Sequence, residues 1–436
     1  MTEKIQARLA AVLPTLRTLA QWLGLAGLAG LACGGAGAAF TWCVAQATAL
    51  RAAHPWLLFF MPLAGLAIVF SYRAAGMEND SGTNQIIASV RGGERPPLRL
   101  APLIFLGSVL THLTGGSAGR EGAALQIGGS ISAGIGRLLR LGERNLNTII
   151  QCGMAGLFSA LFGTPLTATV FALEVINVGH FRYAALFPCL LSALTANAIP
   201  RLLGLPGERY RLSGLPGLGP VSLLQCGGLA VLAALASILF CTLMHQAGRL
   251  YKKHLPNQYI RAAAGAALVI ALTLIEGSGD YNGAGGHIIE LALEGQLRVP
   301  WAFALKMLFT ALTLGAGFRG GEIVPTLFIG STLGCAAAPL FGLDPAFGAA
   351  VSMIALFCGV VNCPLASIFL SIELFGGEGL LFFALACSLS FLQYHARCLS
   401  SHLLYIHWQA SVLVLPALSP NLPKAFLPLT PRRQVY

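Results

Sequence analysis

A chain of 436 residues with 56% hydrophobic and only 10% charged residues is too poor in charge to coat a soluble globule, whose composition runs to roughly 25% charged residues. Its mean hydropathy of +0.74 calls for lipid as the solvent and excludes an ordinary soluble enzyme or binding domain. The net charge of +11 would point to nucleic acid in a soluble chain. Here the cations gather in short polar segments, such as Arg91, Arg95 and Arg99 or Lys252 and Lys253. They read as orientation signals and headgroup contacts, with no nucleic-acid partner expected.

Taken in chain order, apolar runs are expected near 18–50, 55–75, 100–112, 125–140, 147–176, 183–200 and 220–245, then 260–276, 303–316, 323–341, 347–375, 380–395 and 403–417. Several fall short of the roughly 20 residues of a full span. The 52 glycines and 23 prolines cut many of them, and broken helices at membrane depth are tolerated only where they are buried in protein or line a cavity. The expected fold class is therefore an all-α polytopic membrane protein of the transporter or channel kind. Lys4, Arg8 and Arg17 near one end, and Lys424, Arg432 and Arg433 near the other, point to cytoplasmic termini. The charged stretch before residue 18 leads straight into a long apolar region, unlike a signal peptide. The eleven cysteines stand singly, without a CxxC pair, and read as small buried hydrophobes, not as metal or disulfide sites.

An internal repeat organises the chain. Phe162-Gly-Thr-Pro165-Leu runs into an apolar helix ending at Glu174, and Val361-Asn-Cys-Pro364-Leu runs into one ending at Glu373. Glycine-rich elements precede each, at 115–129 and 315–330. Repeats with Gly-interrupted segments at matching places point to a substrate site at their interface. The expected division is an N-terminal cytoplasmic helix and first membrane helix in 1–54, a first transport repeat in 55–202, a linker in 203–219, a second repeat in 220–417 and a short tail in 418–436.

Of the sixteen Asp and Glu residues, four stand in apolar or Gly-rich membrane context: Glu121, Glu174, Glu322 and Glu373. A charge at bilayer depth costs at least about 2.5–3.5 kcal/mol, so each is a functional candidate unless it caps or pairs. Glu174 and Glu373 occupy equivalent places, which favours architecture, such as a bond to a neighbouring helix end. Glu121, in Gly119-Arg120-Glu121-Gly122, opens a helical run. Glycines there expose N–H groups and a helix start adds partial positive charge, which makes an anion site that a nearby carboxylate can occupy. The plainer alternative is an acid favoured by the helix dipole. Glu322 follows Gly317-Phe-Arg319-Gly-Gly321 and precedes Ile323-Val324-Pro325, a second glycine-rich approach with proline in the first turn. Arg120 and Arg319 are expected to pair with carbonyls or carboxylates. Gly82-Thr83-Asn84 precedes a short apolar run, and from the residues alone helix capping is the better reading for Thr83 and Asn84.

These motifs resemble the CLC family. Gly119-Arg-Glu-Gly122 is similar to its signature whose glutamate gates the pathway, Gly320-Gly-Glu-Ile-Val-Pro325 to its second signature, and the two Pro…Glu helices to its repeated segments. The resemblance runs from about residue 55 to 410. It implies a CLC-type fold of two inverted-topology helical repeats with broken and re-entrant helices. Three features resemble the fluoride/proton antiporter branch. Gly82-Thr-Asn-Gln-Ile86 stands in place of Gly-Ser-Gly-Ile-Pro, Glu322 follows the paired glycines, and Val175 stands where chloride/proton exchangers carry an internal proton glutamate. The resemblance implies proton-driven fluoride export, with Glu121 and Glu322 as the working acids. The implied anion-binding set is Gly82, Thr83, Asn84, Arg120, Gly122, Ile323, Val324 and Tyr405, with Tyr394 as the alternative tyrosine. It further implies a homodimer in a bacterial-type inner membrane, with fluoride or chloride and protons as substrates and membrane lipid as the surround. No cofactor, metal or enzymatic activity is expected, there being no His-Glu-x-x-His or Gly-x-Ser-x-Gly pattern. A chloride/proton exchanger and a passive anion channel are the alternatives.

Overall fold

The computed structural model describes residues 2–78, 80, 82–177, 181–205 and 207–400, with side chains among them from 16 to 392. Its regular elements are helical. The chain opens with α1 (Thr2–Ala53), a single uninterrupted helix of 52 residues, so the expected cytoplasmic helix and first membrane helix are continuous. A 3₁₀ turn at Pro55–Phe60 leads to α2 (Met61–Ala74), and the short α3 (Thr83–Val90) follows.

The next five helices are α4 (Leu100–Leu113), α5 (Glu121–Leu138), α6 (Glu143–Phe162), α7 (Pro165–Glu174) and α8 (Leu186–Leu202). After the linker come α9 (Pro220–His254), α10 (Gln258–Glu276) and α11 (Gly286–Leu293). The five-helix series then recurs as α12 (Ala302–Gly315), α13 (Ile323–Ala337), α14 (Pro345–Val361), α15 (Pro364–Phe375) and α16 (Leu380–Ser400). Among the described residues, six helical segments are long and apolar enough to cross a membrane. The expected run at 403–417 lies outside the described residues.

The apolar runs 147–176 and 347–375 each divide into two helices. Gly163 closes α6 in the left-handed conformation (φ +75°) and Asn362 closes α14 in the same way (φ +55°). A proline then opens the next helix, where its missing N–H has no carbonyl to serve. Hydrophobicity is continuous across both breaks, so periodicity alone does not reveal them. The eight-residue α11 was not among the expected runs, because it is too short to register as an apolar stretch.

The most buried layer is made by α5 on α6 and its repeat, α13 on α14. A Cβ on Gly128 would lie 2.1 Å from the Gly153 carbonyl oxygen, and one on Gly334 would lie 2.1 Å from that of Gly348. Both crossings therefore require glycine, and small residues at helix contacts are the usual device where lipid removes the hydrophobic drive for association.

The paired Pro…Glu helices interlock. The Glu174 carboxylate accepts from the N–H groups of Leu365 and Ala366 at 3.2 and 2.8 Å, and Glu373 accepts from Leu166 and Thr167 at 3.0 and 2.8 Å. Each acid at the end of one helix satisfies the open start of the other, which is the architectural role that their matching positions led us to expect.

Candidate functional site

Three helix starts from distant parts of the chain meet. Gly119, two residues before α5, and Gly321, two residues before α13, exchange both backbone hydrogen bonds, each 2.7 Å. The approach is so close that a Cβ on Gly321 would stand 2.4 Å from the Gly122 nitrogen. The start of α3 joins α5 through Thr83, whose hydroxyl donates to the Gly122 carbonyl at 3.3 Å. The third side of the triangle is an ion pair. Asp80 accepts from Arg319 Nη1 at 2.7 Å through one oxygen and from the Gly82 N–H at 3.1 Å through the other. The Arg319 guanidinium carbon lies over the Tyr72 ring, 3.7 Å from its centroid, a cation–π arrangement.

Gly82, with φ +67°, caps α3, and no side chain caps it. The expectation that Thr83 and Asn84 cap this helix is thus corrected. Thr83 lies inside the first turn and turns its hydroxyl across to α5, while the N-cap position before it is held by a glycine at positive φ, which has no side chain to cap with. Asn84 follows it, half-buried.

The first N–H groups of a helix have no intrahelical carbonyl, and the aligned peptide dipoles make its start electropositive. Convergence of such starts favours an anion. The Glu121 carboxylate lies there, with none of the residue exposed to solvent. Its Oε2 accepts from the Arg120 N–H at 2.9 Å, and its Oε1 stands 3.4 Å from Arg120 Nε. It folds back over Gly119, where a Cβ would lie 2.6 Å from Oε2 and 3.1 Å from Val324 and Pro325. Glu121 thus covers the start of its own helix.

Glu322 is the N-cap position of α13, one residue after the Gly119–Gly321 bridge, and its carboxylate makes no capping bond. Ile323 and Val324 form the first turn of α13 and are buried. The structure therefore brings together Gly82, Thr83, Asn84, Arg120, Glu121, Gly122, Glu322, Ile323 and Val324. Tyr405 lies outside the described residues, and of Tyr394 only the helical backbone in α16 is described.

As expected, both arginines are paired. Arg319 binds Asp80, and Arg120 Nη2 donates to Glu208 at 3.2 Å while Nε faces Glu121. Glu208 also accepts from the Tyr210 hydroxyl at 3.1 Å. Burial, and next the Glu208 carboxylate, push the Tyr210 phenol above its ordinary value, so it keeps its proton and donates. Asp80, Glu208, Tyr72 and Tyr210 were missed in the sequence. Asp80, two residues before a glycine-led helix, carries a turn signal, whereas nothing local marks Glu208. Among the described residues, no group of three or more His, Cys, Asp or Glu is placed to hold a metal ion.

The family profile described as voltage gated chloride channel matches residues 63–393. A chloride/fluoride channel protein from Pseudomonas syringae pv. tomato is 35% identical over 397 residues, covering 88% of each chain. The crystal structure of a CLC-type fluoride/proton antiporter superposes with a TM-score of 0.83 at 34% identity, over 86% of this chain and 95% of that one. A slow cyanobacterial Cl⁻/H⁺ antiporter, at 22% identity, shares the fold with a TM-score of 0.74 over 86% of this chain and 94% of its own. With the family profile spanning most of its length and the two glycine-led helix starts joined at its centre, the chain belongs to the CLC family and is an all-helical, multi-pass anion transport protein.

Proposed function

We propose that this protein is a fluoride/proton antiporter that exports fluoride using the proton gradient. The observation that carries the reading is the Glu121 carboxylate, folded onto the start of α5 where an incoming anion would bind. Ionised, Glu121 fills that place. Once protonated, it loses the attraction of the helix start and can swing away, and an anion then takes the position. One carboxylate thus makes proton uptake and anion entrance alternate.

Fluoride is small and holds its water strongly, so a dry site must offer close, strong donors. The open N–H groups of Gly122, Ile323 and Val324, the Thr83 hydroxyl and the Asn84 amide are of that kind. The Thr83 hydroxyl donates to the Gly122 carbonyl at the start of α5. Glu322, at the head of the partner helix, is assigned the proton that Glu121 gives up. Val175 offers no carboxylate for that step. The similarity to a chloride/fluoride channel protein and to a CLC-type fluoride/proton antiporter supports the substrate class. By the family resemblance we also assign the protein to the inner membrane as a homodimer, a subunit count that chemical cross-linking tests.

The direct test uses proteoliposomes loaded with fluoride or chloride, with and without a pH gradient. Fluoride efflux that far exceeds chloride efflux and takes up protons is expected. Comparable chloride flux coupled to protons would make the protein a chloride/proton exchanger, and flux indifferent to protons would make it a channel.

A further inference from the structure

The linker between the halves carries side chains into the site. Its segment after Gly207 is clasped from both sides. The Glu208 N–H donates to the Phe162 carbonyl at the end of α6 at 3.1 Å, and the Tyr210 N–H donates to the Leu374 carbonyl near the end of α15 at 2.9 Å. Gly207 packs so tightly that a Cβ there would lie 2.5 Å from the Phe162 oxygen. Further along, Gly214 presses on Asp344, the side-chain cap of α14. The backbone of Glu208 is therefore fixed by helix ends of both repeats.

Its carboxylate is held just as firmly, by Arg120 Nη2 at one oxygen and the Tyr210 hydroxyl at the other. The same guanidinium faces Glu121 through Nε at 3.4 Å. One cation thus spans two carboxylates of different exposure, the Glu121 side chain at 0% and the Glu208 side chain at 31%. We infer that Glu208 is a positioning residue for the gate: it holds Arg120 between the two carboxylates and so sets the pH at which Glu121 takes up its proton and leaves the start of α5.

The physical basis is charge competition. A cation shared between two acids stabilises each ionised form less than a cation devoted to one, and the negative charge of Glu208 further opposes ionisation of Glu121. If Glu208 is neutral, Arg120 belongs to Glu121 alone. Glu121 then stays ionised, and in place, to lower pH. The other charged or titratable groups around this assembly include His112 at the end of α4, with Arg51 and Lys306 beyond it, Tyr210 in the linker, Glu290 on α11, and Glu322 and the Asp80–Arg319 pair at the adjoining helix starts. None of them is altered in the Glu208 variants.

This inference rests on the antiporter reading, and the experiment separates the two. Fluoride efflux from proteoliposomes holding the full chain is recorded against external pH for the parent, Glu208→Gln, Glu208→Asp and Tyr210→Phe. In Glu208→Gln the midpoint is expected to move to lower pH by about one unit. Glu208→Asp keeps the charge and should restore the parent midpoint. Tyr210→Phe frees one oxygen of Glu208, loosens its hold on Arg120, and should move the midpoint the same way by less, which serves if Glu208→Gln does not fold. A midpoint unmoved in both Glu208→Gln and Tyr210→Phe, whatever their rates, overturns the positioning role. A parent that carries protons with chloride in place of fluoride overturns the substrate assignment alone, and the Glu208 shift is then read on chloride flux. A parent whose flux ignores pH overturns both.

Discussion

Gly119 and Gly321, residues from opposite halves of the chain, donate to and accept from each other at 2.7 Å. This reciprocal bond joins the start of α5 to the start of α13 and puts Glu121 and Glu322 on either side of one short bridge. With Thr83 on Gly122 and Asp80 on Arg319, it makes a closed frame of three helix starts. Every substitution discussed below perturbs a side of that frame, the acid it surrounds or the ends of the helices that brace it.

Glu121→Gln keeps the shape of the side chain and removes its titration. Proton uptake should fall to background while anion flux loses its dependence on pH. A pH-sensitive dye inside fluoride-loaded vesicles reads the coupling, and proton flux equal to the parent would remove Glu121 from the gating role.

Glu322→Gln tests the second acid. Its carboxylate makes no capping bond to α13, so the helix should survive the change with little loss of stability. Coupled fluoride export should drop by an order of magnitude or more, the loss of ~1.4 kcal/mol of transition-state or binding free energy. Export at the parent rate would leave Glu322 as a helix-end residue only.

Gly119→Ala brings a methyl to 2.6 Å from Glu121 Oε2. The backbone there is bonded to Gly321 and cannot retreat, so the carboxylate must. The variant should leak anions at high pH, where the parent gate is closed, while its proton uptake per anion falls. Parent-like closure at high pH would show that the Glu121 carboxylate does not need this space.

Asp80→Asn removes the charge that holds Arg319. The Asp80 side chain is wholly buried and that of Arg319 is 21% exposed. The loss should be on the order of 2 kcal/mol, below the cost of breaking a wholly buried pair, because solvent screens part of the charge. A thermal melt in detergent measures it. Anion flux should fall as well, since the start of α3 is then held to Arg319 by a neutral hydrogen bond at most.

Glu174→Gln and Glu373→Gln should behave alike. Each weakens two charge-assisted bonds at a helix start, about 1–3 kcal/mol, and lowers the melting temperature. The proton-to-anion ratio should stay at the parent value in both. A ratio altered in one of them alone would give that acid a transport role beyond its bracing one.

Much of the molecule could be read from local chemistry. Too little charge to face water, interrupted apolar runs and a Pro…Glu segment occurring twice were enough to specify a membrane protein of two helical repeats. The four acids in apolar or Gly-rich context separated into two braces, Glu174 and Glu373, and two acids at glycine-led helix starts, Glu121 and Glu322. Those inferences succeed because hydropathy, glycine and proline conformations and helix dipoles act over a few residues. The frame itself is a matter of tertiary contact. Arg319 meets Asp80 across 239 positions and Arg120 meets Glu208 across 88, and no local pattern encodes either pairing. The breaks at Gly163 and Asn362 sit inside continuous hydrophobicity, and Thr83, which looks like a cap, reaches instead to another helix. Glu208 sits in a linker that reads as a simple connector. Its place beside Arg120 and Glu121 comes from Phe162 and Leu374, helix ends of different repeats that become neighbours only once the two halves have packed.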